Sequence, residues 1–396
     1  MPYYRNVGSV PPKRHTQHRT PEGGLYYEEL MGEEGFSSDS TLMYHKYIPS
    51  AIRDVQPWEL PDQTLVPNDP MLPRHYKTQD LPASGVGVDP VNGRRLLLGN
   101  NDVRISYVVA KDPSPYYRNA MGDELLFVHS GTAVAETVFG DLEIHDGDYL
   151  IMPRATTHRI VPTGDAPLRI YAMETNSHVM PARNYLSRHG QLLEHAPFCE
   201  RDFRTPTDPY IVEERDVPVH IKHWKAGAPG GIGGTVHVQP HHPFDVVGWD
   251  GCLWPYVMNI SDYEPLTGRV HQPPPTHQIF ESHNVVYCNF VPRKVDYHPL
   301  AIPVPYYHSN VDSDEVMFYS AGNYEARKGS GIEVGSISLH PMGHAHGPQP
   351  GAFESSIGVE YFNETAVMVD TFAPLLIGEG ALAVEAPEYR SSWNVD

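Results

Sequence analysis

A repeat about 190 residues long constrains this chain more than any other feature. The segment YYRNAMGDELLFVHSG, Tyr116 to Gly131, recurs as YYHSNVDSDEVMFYSAG, Tyr306 to Gly322. Aligned on the Asp-Glu pair, Glu124 matches Glu315, Asn119 matches Asn310 and Gly131 matches Gly322. A second pair follows, GDYLIMPRATTH (Gly147 to His158) and GSISLHPMGHAH (Gly335 to His346). Each has Pro six residues after its Gly and His five residues after that. A period this long is no solenoid unit and reads as two copies of one domain. Within each copy apolar and polar residues alternate over short runs punctuated by Gly and Pro, the pattern of strands in an antiparallel barrel or jelly roll. The 39 prolines and 33 glycines agree, since both favour turns over long helices.

The pattern Gly-x5-Pro-x-Gly-x2-His at 335–346, with His-x-Asn-x4-Glu-x6-Gly at 308–322, resembles the two signature motifs of cupins. The expectation is a mainly β chain with two cupin-like (jelly-roll or β-barrel) domains. The copies differ in chemistry. The second has His308, Glu315 and His346 at the cupin ligand positions, whereas the first has Tyr117, Glu124 and His158. Two neutral imidazoles and one carboxylate suit iron(II) and leave positions open for substrate and dioxygen. Tyrosine does not easily replace the first imidazole, so the first copy is expected to be metal-free. A single His on a strand is ordinarily structural. The weight here comes from three compatible residues at motif spacing beside a copy that lacks one of them. The run Asp312-Ser313-Asp314-Glu315 offers other carboxylates; the repeat selects Glu315, with Asp314 the alternative and Asp312 at a turn or in solvent. His237, His241 and His242, near Pro240 and Pro243, read as surface histidines.

Composition removes several function classes. A formal charge of −20 disfavours a nucleic-acid backbone as partner. No apolar run is long enough for a membrane helix; the best, Thr365 to Val384, is interrupted by Asp370, Pro374 and Glu379. Met1 to Arg5 lacks the apolar core of a secretory signal, and three cysteines without a CxxC pair fit a reducing compartment, hence the cytoplasm. The expected organisation is an irregular N-terminal arm over 1–45 and a metal-free cupin-like domain over 46–182. A connecting segment over 183–240 and a catalytic cupin domain over 241–396 follow. Within the connector, Arg183 to Leu193 is expected to form a short helix. Ala226 to Gly234 (AGAPGGIGG) is expected to be a loop and not a nucleotide fingerprint, because no strand run leads into it.

Over most of its length the chain resembles homogentisate 1,2-dioxygenases. The resemblance rests on PYYHSN (305–310), NYEARKG (323–329), GSISLHPMGHAHGP (335–348) and Phe353-Glu354. Upstream, DVVGWDG (245–251), WPYVMN (254–259), NFVPR (289–293) and LYYEEL (25–30) continue it. It implies Fe(II) held by His308, Glu315 and His346, and oxidative cleavage of homogentisate by O2 to maleylacetoacetate in tyrosine and phenylalanine catabolism. It also implies a homo-oligomer, usually a hexamer. An acid-base histidine falls at His271, with His277 competing in the same Pro-rich stretch. His340 and Tyr324 fall at substrate-contacting positions, beside His346. Relative to better-known members there is one extra residue between His308 and Glu315. The alternatives are a related dioxygenase of gentisate or another para-diphenol, and a non-catalytic bicupin.

Overall fold

The repeated glycines do the same work twice. Gly131 and Gly322 adopt φ +100° and +88°, and Gly147 and Gly335 adopt +81° and +87°, a left-handed region that L side chains avoid. A Cβ on Gly322 would lie 2.1 Å from the Asn363 carbonyl oxygen, so this turn accepts only glycine. Gly131 and Gly322 end the strands Glu124–Ser130 and Asp314–Gly322, each the centre of an antiparallel triplet, and Gly147 and Gly335 lead into the neighbouring strands Asp148–Met152 and Ser336–His340. Glu124–Ser130 lies between Asp148–Met152 and Leu168–Thr175. Asp314–Gly322 lies between Ser336–His340 and Glu364–Thr371.

The computed structural model describes residues 3–81 and 88–395. It is mainly β, with cupin-like barrels, and divides into two compact units. The first comprises 1–63, 84–94 and 108–259, and the second 64–83, 95–107 and 260–396. In the first, one sheet runs in the order Leu142–Ile144, Ala133–Thr137, His158–Pro162, Tyr116–Asn119, Val217–Trp224, Ile232–Gln239, Asp54–Trp58. It packs on the Glu124–Ser130 triplet. The core between them includes Leu126, Val128, Ala135, Leu150, Ile160 and Ile170, all buried, as period-two alternation requires. In the second unit the order is Gln278–Ser282, Val285–Phe290, Glu364–Thr371, Asp314–Gly322, Ser336–His340, Arg74–Lys77.

Five expectations from sequence change. The arm is not irregular: Arg5–Gly8, Tyr27–Gly32 and Ser40–His45 join Val246–Gly251 in an antiparallel sheet that buries Leu42, Met43 and Tyr44. Residues 183–240 are not a linker, because Val217–Trp224 and Ile232–Gln239 pair over their full length within the first unit. The glycine-rich stretch is therefore the turn of a hairpin, Pro229–Gly231 at its tip, and a strand does lead into it. Arg183 to Leu193 holds only a 3-10 turn, Arg183–Tyr185; a bridge between Leu186 and Leu192 and a left-handed Gly190 fold the rest back. The boundaries also differ, since residues 64–83 and 95–107 belong to the second unit. No described helix is long and apolar enough to cross a membrane.

Candidate metal centre and substrate cavity

His308 and His346 lie 38 residues apart in sequence but exchange both backbone hydrogen bonds, each N–H donating to the other's carbonyl at 2.9 Å. This clasp brings their rings to 4.4 Å between centroids. The backbone also orients each ring: Nδ1 of His308 faces the Tyr306 carbonyl at 3.3 Å, and Nδ1 of His346 faces the His344 carbonyl at 3.0 Å. With each Nδ1 turned to a carbonyl, each Nε2 faces inward, where it donates to a carboxylate when protonated and offers its lone pair to a cation when not. Inward lies Glu315, whose Oε2 is 3.4 Å from His308 Nε2 and whose Oε1 is 3.3 Å from His346 Nε2. His346 Nε2 is buried without a hydrogen-bond partner. Burial alone would raise the Glu315 carboxyl; the imidazoles, His308 first, hold it well below the usual range.

The three donors lie within 4.8 Å of one another. Among the described residues no Lys or Arg pairs with Glu315. An inward-facing imidazole nitrogen without a partner, a second imidazole and an ionised carboxylate fit a divalent cation.

The neighbouring acids separate cleanly. Asp314 accepts the Met342 N–H at 2.8 Å and the Leu375 N–H at 2.7 Å, so both its oxygens serve the fold. Asp123, its counterpart, accepts from Arg154 and Val179 in the same way. Asp312 is exposed.

His340 departs from the expectation of direct substrate contact. It is fully buried, with Nδ1 3.0 Å from Glu315 Oε1 and Nε2 3.0 Å from the Tyr389 hydroxyl, and its ring stacks on His346 at 4.1 Å. Burial lowers it to about 3, so it is a neutral ring that backs Glu315. It lies opposite Glu315 on the neighbouring strand, and that register sends it inward.

A cavity of about 380 Å3 opens beside the cluster. His308, Glu315, Tyr324, Met317 and Met368 line it, and so do both candidate acid-base histidines. His271 is partly exposed, 3.5 Å from Asp296 and edge-on to Tyr306. His277 stacks on Phe290 at 4.5 Å, and burial lowers it to about 3. Tyr324 packs edge-on against Tyr319, and its hydroxyl lies 3.4 Å from the Thr365 carbonyl. The other histidine group is not simply surface: His242 is buried, accepts the Phe244 N–H through Nδ1 and packs on Tyr116, while His241 stacks on Tyr47.

The first barrel fills the same positions differently. Tyr117 and His158 form the matching backbone bridge. Glu124, fully buried, accepts from Tyr117 at 2.8 Å, from Asn119 at 3.0 Å and from both terminal nitrogens of Arg94 at 2.9 and 3.0 Å. Arg94 also reaches Glu174 at 2.5 Å, and Lys222 reaches Glu174 at 2.6 Å. Burial would raise Glu124, but the guanidinium holds it well below the usual range. A fixed side-chain cation thus balances this carboxylate pair. Met152 takes the place of His340 in the register.

Sequence reasoning missed three residues, Arg94, Glu174 and Asp370. No local signal marks Arg94. The partner acids were legible, because extending the repeat aligns Glu174-Thr175 with Asp370-Thr371, and both acids face the central Glu of their barrel.

Fold and cluster together define a two-barrel cupin chain with one His-His-Glu constellation, of which His308 and Glu315 line a cavity and His346 is buried behind them. The homogentisate 1,2-dioxygenase N-terminal family model matches residues 6–260, and the corresponding C-terminal model matches 278–394. The chain belongs to the homogentisate 1,2-dioxygenase family. It is 36% identical to a Saccharolobus solfataricus protein named "Putative dioxygenase SSO1533", covering 99% of each chain. It is 27% identical to homogentisate 1,2-dioxygenase of Rhodopseudomonas palustris, covering 98% of this chain and 90% of that one. Among solved structures, a cupin 2 conserved barrel domain protein from Leptotrichia buccalis aligns over 76% of this chain and 96% of its own at a TM-score of 0.32 and 9% identity.

Proposed function

We propose that this chain is an iron(II)-dependent ring-cleaving dioxygenase converting homogentisate and O2 to maleylacetoacetate, with both oxygen atoms retained in the product. One observation carries the reading. The same register positions are closed by Arg94 in the first barrel, while in the second they present two imidazole nitrogens and a carboxylate beside a cavity. His308, Glu315 and His346 would hold the iron, and the first barrel takes none. Bound there, iron(II) supplies a Lewis acid and an electron path between diphenol and dioxygen.

The chain's own residues do the rest. His271 takes or holds the phenol proton, oriented by Asp296 at 3.5 Å. Tyr324 hydrogen-bonds the substrate from the cavity wall. His340 fixes the Glu315 carboxylate from behind and touches no substrate. Met317 and Met368 keep water from the ring face. Three free cysteines fit a cytoplasmic setting, and the homo-oligomer, a hexamer in its usual form, is carried over from the resemblance alone.

The test is anaerobic reconstitution with iron(II), then homogentisate and air, with oxygen uptake and the ring-opened product's absorbance followed together. One O2 per homogentisate at one iron per chain is expected. Iron bound without turnover would move the search to gentisate and other para-diphenols, and no bound iron would sink the proposal.

A further inference from the structure

On the strand Glu364–Thr371 every second side chain lines the cavity: Glu364, Ala366, Met368 and Asp370. The row begins at Glu364, which pairs with Arg293 at 2.7 Å, and ends at Asp370, directly across the ladder from Glu315. Asp370 Oδ1 is shielded from solvent and has no hydrogen-bond partner. Its counterpart Glu174 holds both Arg94 and Lys222. An acid at this register position takes partners when the fold supplies them, and a shielded oxygen left without one is costly.

We infer that Asp370 is a positioning residue for the substrate, accepting a hydrogen bond from the ring hydroxyl next to the acetate as it seats beside the His308–Glu315–His346 group, before His271 takes that proton. This rests on the diphenol reading above. No oxygen of Asp370 joins the three donor atoms that lie within 4.8 Å of one another, so it is not a fourth member of that cluster. Its neighbours along the wall, Met368, Ala366 and Met317, offer no hydrogen-bonding group of comparable strength. A hydroxyl is the only donor a diphenol carries.

The test uses the iron-loaded full chain and its Asp370→Ala variant, with Asp370→Leu, which fills the space, if the Ala form does not fold. Wild-type turnover of homogentisate is the control. Expected is one iron per chain in the variant, KM raised about tenfold and kcat changed less, as for one lost buried hydrogen bond. Competitive inhibition by 3-hydroxyphenylacetate, which lacks the hydroxyl next to the acetate, isolates the contact: its inhibition constant should be the same for both proteins. Equal weakening of substrate and inhibitor, an unchanged KM, or loss of iron from the variant would each overturn the assignment. A wild type that binds iron but does not turn over homogentisate would sink the diphenol reading and this inference with it.

Discussion

Replacing Arg94 with Met should expose the cost of the carboxylate pair it balances. Glu124 is fully buried and Glu174 nearly so, and Arg94 supplies two of the four hydrogen bonds to Glu124 and one of the two cations on Glu174. Tyr117 and Asn119, donating to an ionised acceptor, each contribute roughly 1.5–3 kcal/mol. Removing one partner of a buried charge pair costs about 3–5 kcal/mol, so the guanidinium dominates. In a unit of about 200 residues that corresponds to a Tm loss of roughly 6–20 °C.

The pH dependence carries the sign. In the wild type Glu124 is held well below its unfolded value of about 4.3, so its contribution is present above that pH and lost on acidification. In the variant, burial raises the same carboxyl, whose contribution then survives only in acid and is lost as pH rises. The stability gap should therefore widen from pH 4 to pH 7. Urea unfolding followed by circular dichroism across that range measures it, and Arg94→Met/Glu124→Gln should recover about half or more of the loss. A gap below about 1 kcal/mol at pH 7, or one that narrows as pH rises, refutes the reasoning.

Further outcomes follow from the same geometry. His308→Ala should abolish iron binding and turnover with folding intact, and His340→Ala should weaken iron binding by roughly 10–100-fold, both read by metal analysis after dialysis. Tyr117→Phe should leave one iron per chain and cost about 1.5–3 kcal/mol in unfolding; an altered iron content would contradict a metal-free first barrel. His178 lies 2.7 Å from Glu33, with Asp123 at 3.9 Å, and these acids raise it to about 10. Because that is above its unfolded value of about 6.5, its stabilisation is full below pH 6.5 and fades toward pH 10. The deficit of His178→Ala, about 1–3 kcal/mol at pH 6, should shrink over that window in matched unfolding curves.

How far the sequence went depended on whether a signal was local. The repeat with its glycines, prolines and alternation sufficed for two β-barrels, because left-handed turns and period-two burial are written residue by residue. The same repeat set Tyr117 against His308 and so marked which copy carries the His-His-Glu cluster. It selected Glu315 over Asp314, and the two backbone N–H groups held by Asp314 give the physical reason. Sheet membership was not legible. The strands Tyr27–Gly32 and Ser40–His45 are ordered by pairing with each other and with Val246–Gly251, some 200 residues distant. His340 carried no mark of its side: the ladder opposite Glu315 turned it to the back of that carboxylate. Arg94 is an unremarkable arginine in the sequence, and only tertiary packing places its guanidinium between Glu124 and Glu174. Local rules thus supplied the barrels and the donor atoms, while long-range pairing decided which buried charges meet a fixed cation and which face an open cavity.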